Sequence, residues 1–362
     1  MASANDAGYV AQRMPRVLVL DPARPDPAGI DEAVRALREG KIVAFPTETV
    51  YGLGARASDA RAIDRVFLAK GRPAYHPLIA HVQGEREARA MAASWPPMAS
   101  LLAGAFWPGP LTVVVDRASN VPAALAGGGP SVAIRAPAHP VAMALLRALG
   151  EAVAAPSANR YQGLSPTTAA HVTKELGDAV DLVLDGGPCD AGIESTVVDV
   201  RGPAARVLRP GALALAELRR ILPQLDAGLP GVAAQDEARA SPGMDARHYA
   251  PRARLQIAET REAAYAAAGA WQVRGPVGLV VYGAAGGAAP DAPPGVLLRV
   301  LPDDPASYAR RFYDTLHALD DAGVSCIVVQ GVPTGPTGEA WWAIADRLRR
   351  AAFQTEGRPP LP

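Results

Sequence analysis

The chain has 362 residues, about half of them hydrophobic, and its 36 Lys and Arg balance 36 Asp and Glu. That length can bury one large core and a smaller one, and a formal charge of zero excludes any general electrostatic pull toward nucleic acid or acidic membrane. The two cysteines, Cys189 and Cys326, have no CxxC or Cys/His neighbourhood, which argues against a disulfide framework and a structural zinc and for a reducing cytoplasm.

Near the N-terminus, Arg13 and Arg16 precede only the four apolar residues VLVL, too few for a signal-peptide core or a membrane span. From Ile30, IDEAVRALREG reads as a helix stopped by Gly40, and KIVAF as a strand ending at Pro46. SDARAIDRVFLAKG reads as a helix capped by Ser58 or Asp59 and stopped by Gly71. Further strands are expected at PLIAHV, LTVVV, SVAIR, AVAA, DLVL, STVVDV and ARVL, with helices near residues 85–105, 139–149 and 167–176. The result is a mixed α/β unit to about Arg209, closed by a short helix to about Ile221. Residues 223–254 are rich in Pro, Gly and Ala without periodicity, the composition of a linker. From Leu255 the strands VGLVVYG, VLLRVL and CIVVQGV alternate with the helices PASYARRFYDTLHALDDAG and AWWAIADRLRRAA, a small doubly wound unit.

The chain lacks GxxxxGK[ST], GxGxxG after a strand, HExxH and GxSxG. Polar residues gather instead at the ends of apolar strands, where open α/β sheets place their sites. Thr47, Glu48 and Thr49 follow the strand IVAF, and Gly52 and Gly54 permit a tight turn or close approach to a ligand. Lys70 and Arg72 stand at a helix end with Gly71 and Pro73 fixing the backbone, which suits a phosphate claw as well as plain helix-end cations. Lys70 is conspicuous because the 36 basic positions are written as 33 Arg and only 3 Lys. His76 and His81 are five apart and so face opposite sides of a strand, which disfavours a shared metal.

Arg135 ends the strand SVAIR, where its fork matches a carboxylate or a surface ion pair. Ser157 and Asn159 end another strand, and Ser165 with Pro166 reads as N-cap and N1 of the next helix, an anion site. Glu194, Ser195 and Thr196 precede a strand, and Arg209 ends the last one of this unit. Taken together these ends describe a pocket of cations and hydroxyls without a Cys or His nucleophile or a metal cage. Such a pocket suits positioning and charge stabilisation of a nucleotide reaction.

The segments FPTETVYGLG, KGRP with PLIAHV, WPGPLT, VAIRAP, PSAN with SPT, ESTVVD and RPGA, in this order, resemble the YrdC-type family. The linker SPGMDARHYAP and the C-terminal unit are similar to that family's long form. The resemblance implies a YrdC-like twisted open mixed sheet with helices over residues 16–221, a linker or lid over 222–254, and a smaller Rossmann-like α/β domain over 255–355. It implies formation of threonylcarbamoyl-AMP and pyrophosphate from L-threonine, bicarbonate and ATP, with Mg2+ accompanying the ATP, as the first step of a tRNA threonylcarbamoyladenosine modification. A tRNA-modifying transferase complex acts downstream; a tRNA contact is allowed and a membrane is not.

By the same resemblance Lys70 and Arg72 are catalytic, facing the phosphates. Ala74, Ser131, Ser157, Asn159, Ser165 and Arg209 join them around the nucleotide, with His248 and Tyr249 folding over it. Thr47, His81, Arg135, Ala155 and Ser195 hold threonine, Arg135 on its carboxylate. Two departures stand out: His76 replaces the Asn or Lys often found before PL, and Asp245 puts an acid in the linker motif. The competing readings are a double-stranded RNA-binding module and a carbamoyl-transfer enzyme of the hydrogenase-maturation type, which two distant cysteines disfavour.

Overall fold

The computed structural model describes residues 14–228, 247–283 and 292–353. Asp245 therefore lies outside the described residues. The first unit is built on strands β1 (Arg16–Val19), β2 (Val43–Phe45), β3 (Gly52–Arg56), β4 (Ile79–His81), β5 (Leu111–Asp116), β6 (Ser131–Arg135), β7 (Val153–Ala155), β8 (Leu182–Asp185), β9 (Thr196–Asp199) and β10 (Arg206–Arg209). They form one mixed sheet in the order β1-β8-β2-β3-β7-β4-β6-β5-β9-β10.

Strand alternation splits the apolar residues between two faces. Val43 and Phe45 pack with Val34 and Leu37 of the helix Pro27–Arg38. Ile42 and Ala44 point the other way, against Ile63, Val66 and Phe67 of the helix Ala60–Lys70. That helix begins at Asp59, whose carboxylate accepts from the Arg61 and Ala62 amides, and ends at Gly71 with φ 63°. Its geometry therefore fixes where Lys70 and Arg72 leave the helix.

Three local expectations are corrected. Gly52 and Gly54 do not make a turn; they lie in β3, antiparallel to β2 and β7, while Gly52 does line the cleft of the candidate site. A Cβ at Gly54 would fall 2.8 Å from both Phe45 Cε1 and Val153 Cγ1, so only glycine lets this strand pass between its neighbours. The single helix expected near 85–105 is two, Glu85–Met91 and Pro97–Phe106, the second entered through Pro96 at its N-cap and Pro97 at its first position. Ser165 is not an N-cap: the helix starts at Ala169, and Thr168 caps it by accepting from the His171 amide.

The second unit is a sheet of four parallel strands, β11 (Arg254–Ala258), β12 (Val277–Tyr282), β13 (Val296–Leu301) and β14 (Cys326–Gln330), in the order β11-β14-β12-β13. Helix Arg261–Trp271 covers Val277, Leu279 and Val281 on one face. Helices Pro305–Asp321 and Trp342–Ala352 cover Val280, Ile327 and Val329 on the other. Helices on both faces of a parallel sheet give the Rossmann-like architecture.

Helix Pro305–Asp321 also presents a stripe at positions 310, 313, 314, 317 and 321 to the first unit, the spacing of one helical face. Arg310 Nε donates to the Asp190 carbonyl at 2.7 Å, Asp314 faces His171 at 3.5 Å, and Asp321 pairs with Lys174. His317 stacks on His171 with ring centroids 3.9 Å apart, and burial, then the neighbouring His171, pulls its pKa from 6.5 to about 3. The unfolded chain thus takes up a proton near pH 6.5 that the folded chain refuses until about pH 3, so stability is lost as pH falls through that window. In a thermal-shift series the melting temperature is expected to fall from pH 7 to pH 5, with a shallower fall for His317→Asn. Equal slopes would assign the acid sensitivity to other groups.

Candidate functional site

Six strand ends and the linker converge on one cleft. Thr47, Arg72, His81, Arg135, Ala155, Ser157, Ser195, Arg209, His248 and Tyr249 all line it. Three guanidiniums, those of Arg72, Arg135 and Arg209, face a cleft in which each is no more than 7% exposed. Low-dielectric walls focus their field on whatever enters, and the natural guest is a compact anion.

One wall is a hydroxyl network. Thr47 Oγ1 donates to the Val50 carbonyl at 2.7 Å and lies 2.9 Å from Thr49 Oγ1. Arg135 Nη1 donates to Thr49 Oγ1 at 2.7 Å and Nε to the Gly109 carbonyl at 3.2 Å. Its Nη2 sits 2.7 Å from Glu48 Oε1, an ion pair without the angles of a hydrogen bond. The fork is therefore held from behind, and a carboxylate arriving in the cleft would meet a fixed cation. Burial, then Arg135, lowers the His81 pKa to about 3, so His81 serves as a neutral hydrogen-bonding ring.

A second part of the lining is Ser195 and Arg209. Arg209 donates through Nε and Nη2 to the Ser195 carbonyl at 3.2 and 2.9 Å, and through Nη2 to Ser195 Oγ at 3.1 Å. Thr112 Oγ1, on β5, lies 2.8 Å from the same hydroxyl. Arg72 Nη2 donates to the Pro77 carbonyl at 3.1 Å.

Lys70 does not reach the cleft itself. Its ammonium is buried behind Ser157, donating to the Ser157 carbonyl at 2.6 Å, to Asn159 Oδ1 at 3.2 Å and to the Asn159 carbonyl. Burial, then Arg72, holds its pKa well below the ordinary lysine range. Asn159 stands behind the wall too, bonding the Arg160 and Gly163 carbonyls at 2.8 and 2.9 Å. Ser165 donates to Glu194 Oε1 at 2.5 Å, so its hydroxyl serves a buried carboxylate instead of a helix end. Ala74 is exposed on the turn beyond Arg72, and Ser131 begins β6, four residues from Arg135 and so about 13 Å along the strand.

His248 and Tyr249 come from the linker and are 5% and 1% exposed. Burial, then Arg72 and Lys70, holds the His248 imidazole neutral, and burial raises the Tyr249 phenol. His248 Nδ1 and Tyr249 Oη have no hydrogen-bond partner among the described residues. Buried polar atoms seldom stay unpaired, so both point to a ligand in the cleft.

Sequence reasoning left two residues without their due. Glu194 lines the cleft, and Arg347, wholly buried in the helix Trp342–Ala352, donates to it through Nε at 2.8 Å. Tyr313 Oη adds bonds to the same carboxylate at 3.1 and 3.3 Å. The only signal was the word ESTVVD, which placed Glu194 beside Ser195; nothing local marked Arg347.

A family model described as "Telomere recombination" matches residues 35–211, and one described as "Threonylcarbamoyl-AMP synthase, C-terminal domain" matches residues 213–353. A threonylcarbamoyl-AMP synthase from Pyrococcus abyssi is 37% identical over 322 residues, 87% of this chain and 92% of that protein. One from Bacillus subtilis is 40% identical over 231 residues, 64% of this chain and 66% of that protein. The crystal structure of P. abyssi Sua5 complexed with L-threonine superposes with a TM-score of 0.85 at 36% identity, covering 93% of this chain and 97% of that one. With its two-unit fold, its arginine-lined cleft and these relatives, the chain belongs to the threonylcarbamoyl-AMP synthase family.

Proposed function

We propose that the chain joins L-threonine, bicarbonate and ATP into threonylcarbamoyl-AMP with release of pyrophosphate. The observation that carries this reading is the cleft itself: three buried guanidiniums, a ring of hydroxyls and two buried, unpartnered linker groups, in a chain of this family. The threonine amine and bicarbonate condense to a carbamate with loss of water. A carbamate oxygen then attacks the α-phosphorus, the bond to the bridging oxygen breaks, and pyrophosphate leaves with the electron pair.

Arg135 is assigned to the threonine carboxylate, with Thr47, His81, Ala155 and Ser195 shaping the space around the amino acid. Arg72 and Arg209 are assigned to the phosphates, where charge develops in the transition state. Ser157 and Asn159 form the loop between the two ligands, and Lys70 fastens that loop from behind. His248 and Tyr249 close over the nucleotide and keep water from the mixed anhydride. Mg2+ is assigned to the ATP as substrate, since it is commonly held by substrate phosphates with few protein ligands.

The three cleft arginines are too buried to form a face for RNA, which disfavours the RNA-binding reading. The product is expected to pass to a transferase that modifies tRNA. A cytoplasmic location is assigned on the two cysteines, both free and buried; no helix of the described residues is long and apolar enough to cross a membrane. The test is pyrophosphate release with threonine and bicarbonate supplied or withheld. Release is expected only with both present; release that ignores threonine would sink the reading.

A further inference from the structure

We infer that Arg347, in the C-terminal unit, is a positioning residue that sets the Ser195–Arg209 wall of the cleft and seats Tyr249. The inference rests on the proposed reaction for its readout and on geometry for its argument. Arg347 makes three kinds of contact across the unit boundary. Nε donates to Glu194 Oε2 at 2.8 Å, Nη1 donates to the Pro210 carbonyl at 2.8 Å, and the guanidinium carbon stands 4.9 Å from the Tyr249 ring centroid. Glu194 immediately precedes Ser195, Pro210 immediately follows Arg209, and Tyr249 lines the cleft. One guanidinium thus braces three segments that meet the ligands while staying out of reach of them itself.

Stability alone is a weak reason for this arrangement. A buried ion pair loses in desolvation much of what it gains in attraction, and matched apolar residues often hold a boundary as well or better. What a planar fork adds is direction: it fixes the relative orientation of everything it binds. Asp346 supports it, accepting from Arg347 Nη1 at 3.0 Å and from Arg349 and Arg350.

Two backbone observations point the same way. Gly192, at φ +71°, packs so closely on the helix Pro305–Asp321 that a Cβ would fall 2.5 Å from the Ala309 carbonyl oxygen, so the loop leading into Glu194 rests directly on the C-terminal unit. Tyr249 adopts φ 61°, a left-handed conformation that is costly for a residue with a side chain and persists where surroundings impose it. The Arg347 guanidinium and the Tyr313 ring, 6.1 Å away, are those surroundings.

The test uses the full chain with Arg347→Lys, which keeps a charge opposite Glu194 but cannot reach Glu194, Pro210 and the Tyr249 ring at once. Expected is a fall in pyrophosphate release on the order of 10- to 100-fold, with KM raised for both threonine and ATP, at a temperature where circular dichroism shows the native fold. A second variant, Glu194→Gln with Arg347→Met, removes both charges and is expected to keep the melting temperature while losing activity similarly. Wild-type KM and turnover in either folded variant would reduce Arg347 to a structural role, and so would failure of both variants to fold. If the wild-type protein releases no pyrophosphate, the reaction proposed above falls; calorimetric ATP affinity then still decides the inference, weakened in the variants if it holds and unchanged if it does not.

Discussion

Lys70→Arg is expected to lower turnover on the order of a hundredfold while the protein still folds, although the substitution conserves charge. The reason lies in the geometry behind the cleft. Three acceptors, the Ser157 carbonyl, the Asn159 carbonyl and Asn159 Oδ1, converge on one ammonium. A tetrahedral –NH3+ can aim at all three, whereas a guanidinium spreads its N–H groups in a plane and is bulkier. In a site 3% exposed that extra bulk must push the loop outward. Ser157, on that loop, is part of the cleft wall, so the damage reaches the ligands directly.

The two roles open to Lys70 separate in a three-way comparison of wild type, Lys70→Arg and Lys70→Met. If the residue supplied only a positive charge near the phosphates, Arg would work and Met would fail. If it fastens the loop, both fail, and KM for ATP rises in both. Near-normal turnover of Lys70→Arg would return the residue to the status of an ordinary helix-end cation. Its lowered pKa fits a proton held weakly by burial, which an arriving phosphate would hold more firmly by opposite charge.

Much of the site was legible because its pieces are local. Most of these strand ends carry a polar word directly after an apolar run, ESTVVD carries one directly before, and the sheet order then brings those words together: β4, β6, β7, β9 and β10 deliver His81, Arg135, Ser157, Ser195 and Arg209 to one cleft. What stayed hidden depends on pairing across long separations. Gly54 looked like a turn because glycine has poor strand propensity, yet packing between Phe45 and Val153 demands it there. Ser165 followed by Pro166 had the form of a cap, but its hydroxyl was claimed by Glu194, 29 residues on. Arg347 sits among Arg349 and Arg350 in one helix, and only the fold, joining it to a carboxylate 153 residues away, distinguishes it from them. The parallel strand β11 and the Ala-rich helix Arg261–Trp271 carry too weak a period to be read alone.

His248→Ala combined with Tyr249→Ala is expected to uncouple the reaction from its product. Cutting the chain after Ile221 would be a poorer test, because it also strips Glu194 of Arg347 and exposes the apolar contacts of Val50, Leu164 and Ile193 with the second unit. The double substitution keeps the Glu194–Arg347 contact and removes His248 Nδ1 and Tyr249 Oη, which have no hydrogen-bond partner among the described residues, together with the Tyr249 ring that packs on Arg347 and Tyr313. Losing a hydrogen bond and an aromatic surface should raise KM for ATP roughly 10- to 100-fold. KM for threonine should move little, since Arg135 and Thr49 are untouched. The telling quantity is the ratio of threonylcarbamoyl-AMP recovered to pyrophosphate released. With the linker groups in place, water is kept from the mixed anhydride and the ratio stays near one; without them, hydrolysis in the open cleft drives it down. An unchanged ratio together with an unchanged KM for ATP would mean that the linker merely connects the two units. A lowered affinity with the ratio intact would keep the nucleotide contact and discard the water shield, so the two halves of the lid hypothesis stand or fall separately.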